Sequence, residues 1–272
     1  MRPPPILPVF FLILLFSFAQ TQPTSDDEVR LGIEAYKNSH YDDAMQHFEK
    51  AKDQDGSNLK ARLYLATACI SQYIPGVDSP ENNGYAEKAI EQYQYILDAG
   101  GDPEQRINSA KGIGYLFLNM KQFEVAKKYY RIASDLDPKD PEPYYSIGVI
   151  DWTVCYQPRM EARTRLGMRP DQHLNRKIPE QKKICDDLSA KNLSVIEEGM
   201  DALNQAIELR PEYDDAMAYM NLMYRERADL ECYDPAARER DQKAADEWVD
   251  KTLLAKKAKA ERAETPAKPP SD

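Results

Sequence analysis

The sequence predicts an all-α chain built as a short array of helical hairpins. Three observations carry this. A small–Ala–aromatic pattern recurs along the chain, Pro or Gly follows most copies of it, and Gly is sparse, at 11 in 272 residues. Low Gly without β-branched runs favours helices over sheets.

The clearest copy of the pattern reads Gly114, Ala126, Tyr130, Ala133, Pro138. Gly114 and Ala126 fall where two helices cross, and only small side chains allow that approach. Ala126 and Tyr130 are four apart and share one face of the second helix. Pro138 lacks an amide hydrogen and stops that helix. An earlier copy reads Leu31, Gly32, Tyr41, Ala44, Phe48, Ala51, with Gly56 in place of the terminal Pro. Between these lies a copy with Leu65, Ala66, Ala89 and Tyr93, and Pro103 opens the next copy. A fourth begins at Tyr144, Ile147 and Gly148 and closes at Leu203, Ala206 and Pro211. A fifth, weaker one starts near Met217 and Met220, with Asn221 at the small position. Its second helix runs through Trp248.

The pattern resembles the tetratricopeptide-repeat (TPR) family over roughly residues 26–255. The resemblance implies a right-handed superhelix of about five helix pairs. It also implies a protein or peptide partner, bound on the concave face formed by the first helices. In the family's register that face carries Val29, Ile33, Tyr36, Tyr64, Thr67, Lys111, Tyr115, Leu118, Tyr145, Val149, Trp152, Tyr219, Leu222 and Arg225. The strongest candidates for a binding groove are Tyr36, Tyr64, Lys111, Tyr115, Tyr145, Val149, Trp152, Tyr219 and Arg225. Tyr and Trp combine large buried area with a polar tip. The family's carboxylate clamp for chaperone tails would need basic residues and amides at Val29, Ile33, Tyr64, Asn108 and Gly112. Only Asn108 qualifies, so chaperone-tail binding is not carried over. With an N-terminal signal, the chain is similar to exported TPR proteins of Gram-negative bacteria.

Spacing between the two helices locates the insertions. Gly32–Ala44 and Gly114–Ala126 are 12 apart, Ala66–Ala89 is 23, and Gly148–Gly199 is 51. The fourth copy therefore carries 39 extra residues, placed at 154–192, and a smaller excess surrounds Cys232 to Pro235. All fall in the turn inside a hairpin, so they gather on one rim of a solenoid. The long one has its own charge. From 157 to 183 it holds eight basic and three acidic residues, in a chain of net charge −10. Arg159, Arg163, Arg165, Arg169, Arg176 and Lys177 form a basic rim that could dock an acidic partner or the acidic solenoid itself.

Four cysteines, Cys69, Cys155, Cys185 and Cys232, show no metal-like spacing. Cys69 reads as a small buried hydrophobe. Cys155 and Cys185 flank the long insertion, and a disulfide between them would close it. Cys155–Cys232 is the alternative.

Residues 1–19 read as a signal peptide. Arg2 precedes an apolar run from Ile6 to Phe16, and Ser17-Phe18-Ala19 fits a cleavage site. A linker (20–25), the solenoid (26–262) and a disordered tail (263–272) complete the chain. The expected location is the periplasm or the extracellular space. The acidic balance argues against nucleic acid, and membrane contact is expected to be peripheral at most. No metalloprotease, nucleophile-elbow, P-loop or dinucleotide motif occurs, so no enzyme activity, cofactor or metal is expected. Asp42-Asp43 and Asp214-Asp215 sit at helix starts, where negative charge suits the helix dipole. The expected role is an interaction scaffold. A permanent subunit of an envelope assembly is the alternative, and catalysis is a remote third.

Overall fold

The computed structural model describes residues 22–169 and 172–264. The proposed signal peptide with its cleavage site and residues 265–272 of the tail lie outside the described residues. The described part folds into ten helices and no strands. They are α1 (Ser25–Lys37), α2 (Tyr41–Gln54), α3 (Leu59–Gln72), α4 (Pro80–Ala99), α5 (Pro103–Asn119), α6 (Phe123–Leu136), α7 (Pro141–Arg165), α8 (Pro179–Leu209), α9 (Asp214–Leu230) and α10 (Pro235–Glu264). Consecutive helices pair as five hairpins, each stacked on the next.

Local chemistry sets the boundaries. Thr24 and Asp27 exchange side-chain and backbone bonds in a capping box that opens α1, and Asp102 and Gln105 repeat it at α5. Pro80, Pro103, Pro141, Pro179 and Pro235 each open a helix, where the missing amide hydrogen has no intrahelical partner to lose. The two unexpanded hairpins share one turn. Ser39 (φ 62°) and Lys121 (φ 58°) adopt the left-handed conformation. The amides of His40 and Gln122 reach back to Ala35 and Phe117, satisfying carbonyls that each helix end leaves open. In the fourth hairpin Gly167 (φ 63°) takes this place, and the Met168 amide reaches Arg163.

The pattern residues form the seams. A Cβ on Gly32 would meet Phe48 and one on Gly148 would meet Leu203 Cγ, both at 2.4 Å. Phe48 and Leu203 stand four residues after Ala44 and Gly199, so the 39-residue excess leaves the crossing unchanged. Asn221, the exception to the small-residue rule, lies inside the last crossing and donates to the Ala245 carbonyl at 3.0 Å.

The long insertion differs from a loop. α7 continues through Pro158 to Arg165, and α8 starts at Pro179, so most of segment 154–192 lengthens the two helices. Cys155 therefore lies within α7 rather than past its end. Proline inside a helix removes one ladder bond. Here the extended helix is held by burying Cys155, Arg159, Ala162 and Arg163 against its neighbours.

Candidate protein-binding face and its basic rim

The aromatic candidates from hairpins four and five converge. Tyr145 and Trp152 stand seven residues apart on α7, two turns along one face. Tyr219 of α9 reaches both, with ring centroids at 5.7 Å and 5.5 Å, edge to face. The row extends at both ends. Tyr156 stacks on Trp152 at 4.7 Å, and Tyr213 lies 4.9 Å from Tyr145. These rings are half-buried, apart from buried Tyr213. Burial pushes the Tyr145 hydroxyl up to about 12. Burial, reinforced by the Glu142 carboxylate that accepts its hydrogen bond at 2.7 Å, raises Tyr213 further. The Tyr213 hydroxyl is the one that donates, to Glu142.

The row ends at a cavity of about 580 Å³. Glu142, Arg210, Glu212, Asp214, Asp215, Lys259 and Arg262 line it beside Tyr145 and Tyr213. Its charges are largely cross-paired: Arg210 with Glu142 at 2.8 Å, Lys259 with Asp214 at 3.4 Å, and Arg262 with Glu212.

The other candidates are more dispersed. Tyr36 bonds Ser71 Oγ at 2.8 Å, Tyr64 stacks on Phe48, and Lys111 pairs with Asp140 at 2.7 Å. Tyr115 is exposed, Val149 is half-buried, and Arg225 pairs with Asp246 at 2.9 Å. Val29 does not line a groove: it is buried with Ala51 and Ala61. Among the described residues, no ring contact joins Tyr36, Tyr64 or Tyr115 to the row on α7 and α9.

Beneath the row runs a buried charge cluster that the sequence pattern does not reveal. Lys127 Nζ, on α6, donates to Asp151 on α7 at 2.6 Å and to Glu198 on α8 at 2.7 Å, and Arg131 also pairs with Glu198. Asp151 is fully buried, and its second oxygen has no hydrogen-bond partner. Burial raises its carboxyl to about 6 despite Lys127. Glu198 is less buried, and the bonds from Lys127 and Arg131 outweigh desolvation and hold it low.

The basic rim divides in two. Arg159 and Arg163 are buried and do not face a partner. Arg159 forks onto Glu226 with two 2.6 Å bonds and reaches Asp229 at 2.9 Å, and Arg163 reaches Asp229 at 2.8 Å. Because α7 continues as a helix, these residues point along its packed face to α9 and form an internal bolt. Arg165, Arg169, Arg176 and Lys177 remain exposed. Arg176 and Lys182 lie over the Tyr233 ring, at 5.7 Å and 5.9 Å from its centroid.

The disulfide also differs from expectation. Cys185 pairs with Cys232, their Cα atoms 6.5 Å apart, while Cys155 and Cys69 are free and buried. Helix α8 presents Cys185 to the α9–α10 turn, whereas Cys155 packs beside the Asn192 carbonyl deeper between α7 and α8. Among the described residues no cluster of His, Cys, Asp and Glu could hold a metal ion, and no helix is long and apolar enough to cross a membrane.

Residues 112–140 match the family model of the tetratricopeptide repeat. Similar solved structures agree over nearly the whole chain. The MamA protein shares 14% identity with a TM-score of 0.57, covering 90% of this chain and 98% of that one. MamA from Desulfovibrio magneticus RS-1 shares 13% at 0.55, covering 86% and 96%. YrrB, described as a TPR protein with an unusual peptide-binding site, shares 13% at 0.53, covering 88% and 93%. This fold is a TPR solenoid. No curated protein sequence matches the chain. At these identities the likeness concerns the fold. The repeat pattern does not single out Tyr156 or Tyr213. The signal for Tyr156 is its i+4 spacing from Trp152, which counts only once α7 is known to continue.

Proposed function

We propose that this chain is an exported interaction scaffold of the cell envelope that grips a peptide or protein segment along its first-helix face. The carrying observation is the row Tyr156, Trp152, Tyr219, Tyr145, Tyr213, which spans two hairpins in an unbroken chain of ring contacts. Stiff aromatic rings with polar tips lose little entropy on binding and dominate binding hot spots. The YrrB likeness supports this reading, since a fold of this kind carries a peptide-binding site there. The exposed rim of Arg165, Arg169, Arg176 and Lys177 adds a preference for acidic partner residues. Export is supported by the Cys185–Cys232 disulfide, because such bonds persist in oxidising compartments, and by the leader-like residues 1–19.

The test is crosslinking co-purification from the native envelope, comparing the native chain with Tyr145→Ala/Trp152→Ala and with Arg176→Glu/Lys177→Glu. Deleting 157–183 is unsuitable, because it would also remove the Arg159 and Arg163 bolt. The aromatic double variant is expected to keep its helicity and lose affinity for its partner by about tenfold or more. The rim variant is expected to weaken capture in a salt-dependent way. Undiminished recovery by a well-folded aromatic variant would refute the groove.

A further inference from the structure

The last hairpin breaks a rule that the first four obey. Four residues after the small residue of each second helix stands a hydrophobe: Phe48, Tyr93, Tyr130 and Leu203, exposed by 0%, 4%, 5% and 0%. The next hairpin's first helix covers it. Tyr64 of α3 stacks on Phe48, and Gly112 of α5 lies against Tyr93. In the fifth hairpin this position is Val249, which is 37% exposed. Around it Ala218, Leu222, Val249 and Leu253 line an apolar cleft of about 230 Å³ between α9 and α10. Leu253 and Leu254 are 60% and 67% exposed. The counterparts of Leu254 in the earlier hairpins are Asp53, Asp98, Asp135 and Glu208, none of them buried. The sequence thus places an apolar residue at a position where every other copy carries charge. Clustered exposed hydrophobes of this kind mark an interaction surface.

The charge pattern of α10 selects the occupant. The outward stripe beside the cleft reads Gln242, Asp246, Val249, Leu253, Lys256, Ala260, spaced by alternating threes and fours as in a coiled-coil seam. Laid antiparallel on itself about a two-fold axis at position 251, the stripe is self-complementary. Val249 meets Leu253 of the second copy, and Asp246, which pairs with Arg225 of its own chain at 2.9 Å, presents its other carboxylate oxygen to the second copy's Lys256. The two-fold generates each contact twice. We infer that this end of the solenoid is a docking face for a second copy of this chain, giving an isologous dimer in which each α10 seats in the α9–α10 cleft of the other.

Sedimentation velocity of the full chain over a wide concentration range tests this, with circular dichroism as the fold control. The native chain is expected to dimerise reversibly, and Leu253→Asp, at an exposed site, to stay helical and monomeric. Lys256→Asp sets like charges opposite each other twice and is expected to raise the dimer dissociation constant about tenfold. Asp246→Lys/Lys256→Asp is expected to restore it. Positions 246 and 256 are about 15 Å apart along one helix, so the rescue must come from between chains. A native chain that stays monomeric would overturn the inference and leave the face to another protein's helix. So would a dimer indifferent to Leu253→Asp, or a helical charge swap without rescue. None of these readouts depends on the aromatic row, so the two proposals stand or fall separately.

Discussion

At the residue scale, Asp151 is the least expected feature. Its carboxylate is buried, holds Lys127 with one oxygen and leaves the other unpartnered. Burial raises its pKa from 3.8 to about 6. A carboxyl raised on folding binds its proton more tightly in the folded state. Its contribution to stability is full below about pH 4 and is lost as pH climbs through about 6. Glu198 from α8, Lys127 and Arg131 from α6 and Glu226 from α9 face the same region, so the comparison is made within one pair of proteins. The advantage of the native chain over Asp151→Asn, read from melts between pH 4 and 7, is expected to shrink as pH rises. A gap independent of pH would show that Lys127 cancels the burial. Nothing at position 151 marks this in the sequence. An Asp beside Trp152 on an amphipathic helix reads as a solvated residue, and its partner Lys127 lies 24 positions away on another helix.

At the element scale, the crossings were legible and the insertion was not. Gly32, Ala44, Gly114, Ala126, Gly148 and Gly199 identify the hairpins because close helix approach tolerates few residue types, which leaves a mark at fixed spacing. How a helix ends is a weaker mark. The spacing from Gly148 to Gly199 places an insertion at 154–192 without saying whether it is loop or helix, and α7 runs through Pro158 with Arg159 and Arg163 bonded to carboxylates on α9. That continuation takes Cys155 off the rim and into α7, brings Tyr156 onto the face of Trp152, and turns Arg159 and Arg163 inward. The observed Cys185–Cys232 bond ties α8 to the α9–α10 turn across 47 positions. In the chain-entropy model closing such a loop contributes about 4 kcal/mol. Cys185→Ser is expected to lower the melting temperature and abolish its dependence on reductant, whereas Cys155→Ser should leave that dependence intact. A reductant effect that survives Cys185→Ser would point to a different pairing.

At the scale of the whole molecule, a solenoid's stability is the sum of its hairpins and the interfaces between neighbours. Two large cores occupy the ends. One runs from Ala44 to Leu116, and the other joins Cys155 to Cys232 through α8 and α9. Between them the buried apolar contact narrows to Ala126, Tyr130, Ile147 and Ile150. Lys127 sits at this waist and bonds both α7 and α8, so an ion cluster supplements a thin apolar seam. Removing one partner of a buried pair costs about 3–5 kcal/mol because the other charge is left uncompensated. Lys127→Met is therefore expected to act on the joint more than on either end. Hydrogen exchange should show the amides of α6 and α7 losing protection while the cores around Leu65 and Leu203 keep theirs, and the thermal transition should split in two. Lys127→Met/Asp151→Asn, which removes both charges, is expected to bring the halves back towards one transition. If the single variant instead lowers one undivided transition, the waist is no weaker than the ends, and the aromatic row on α7 and α9 is carried by one cooperative body rather than by the C-terminal half alone.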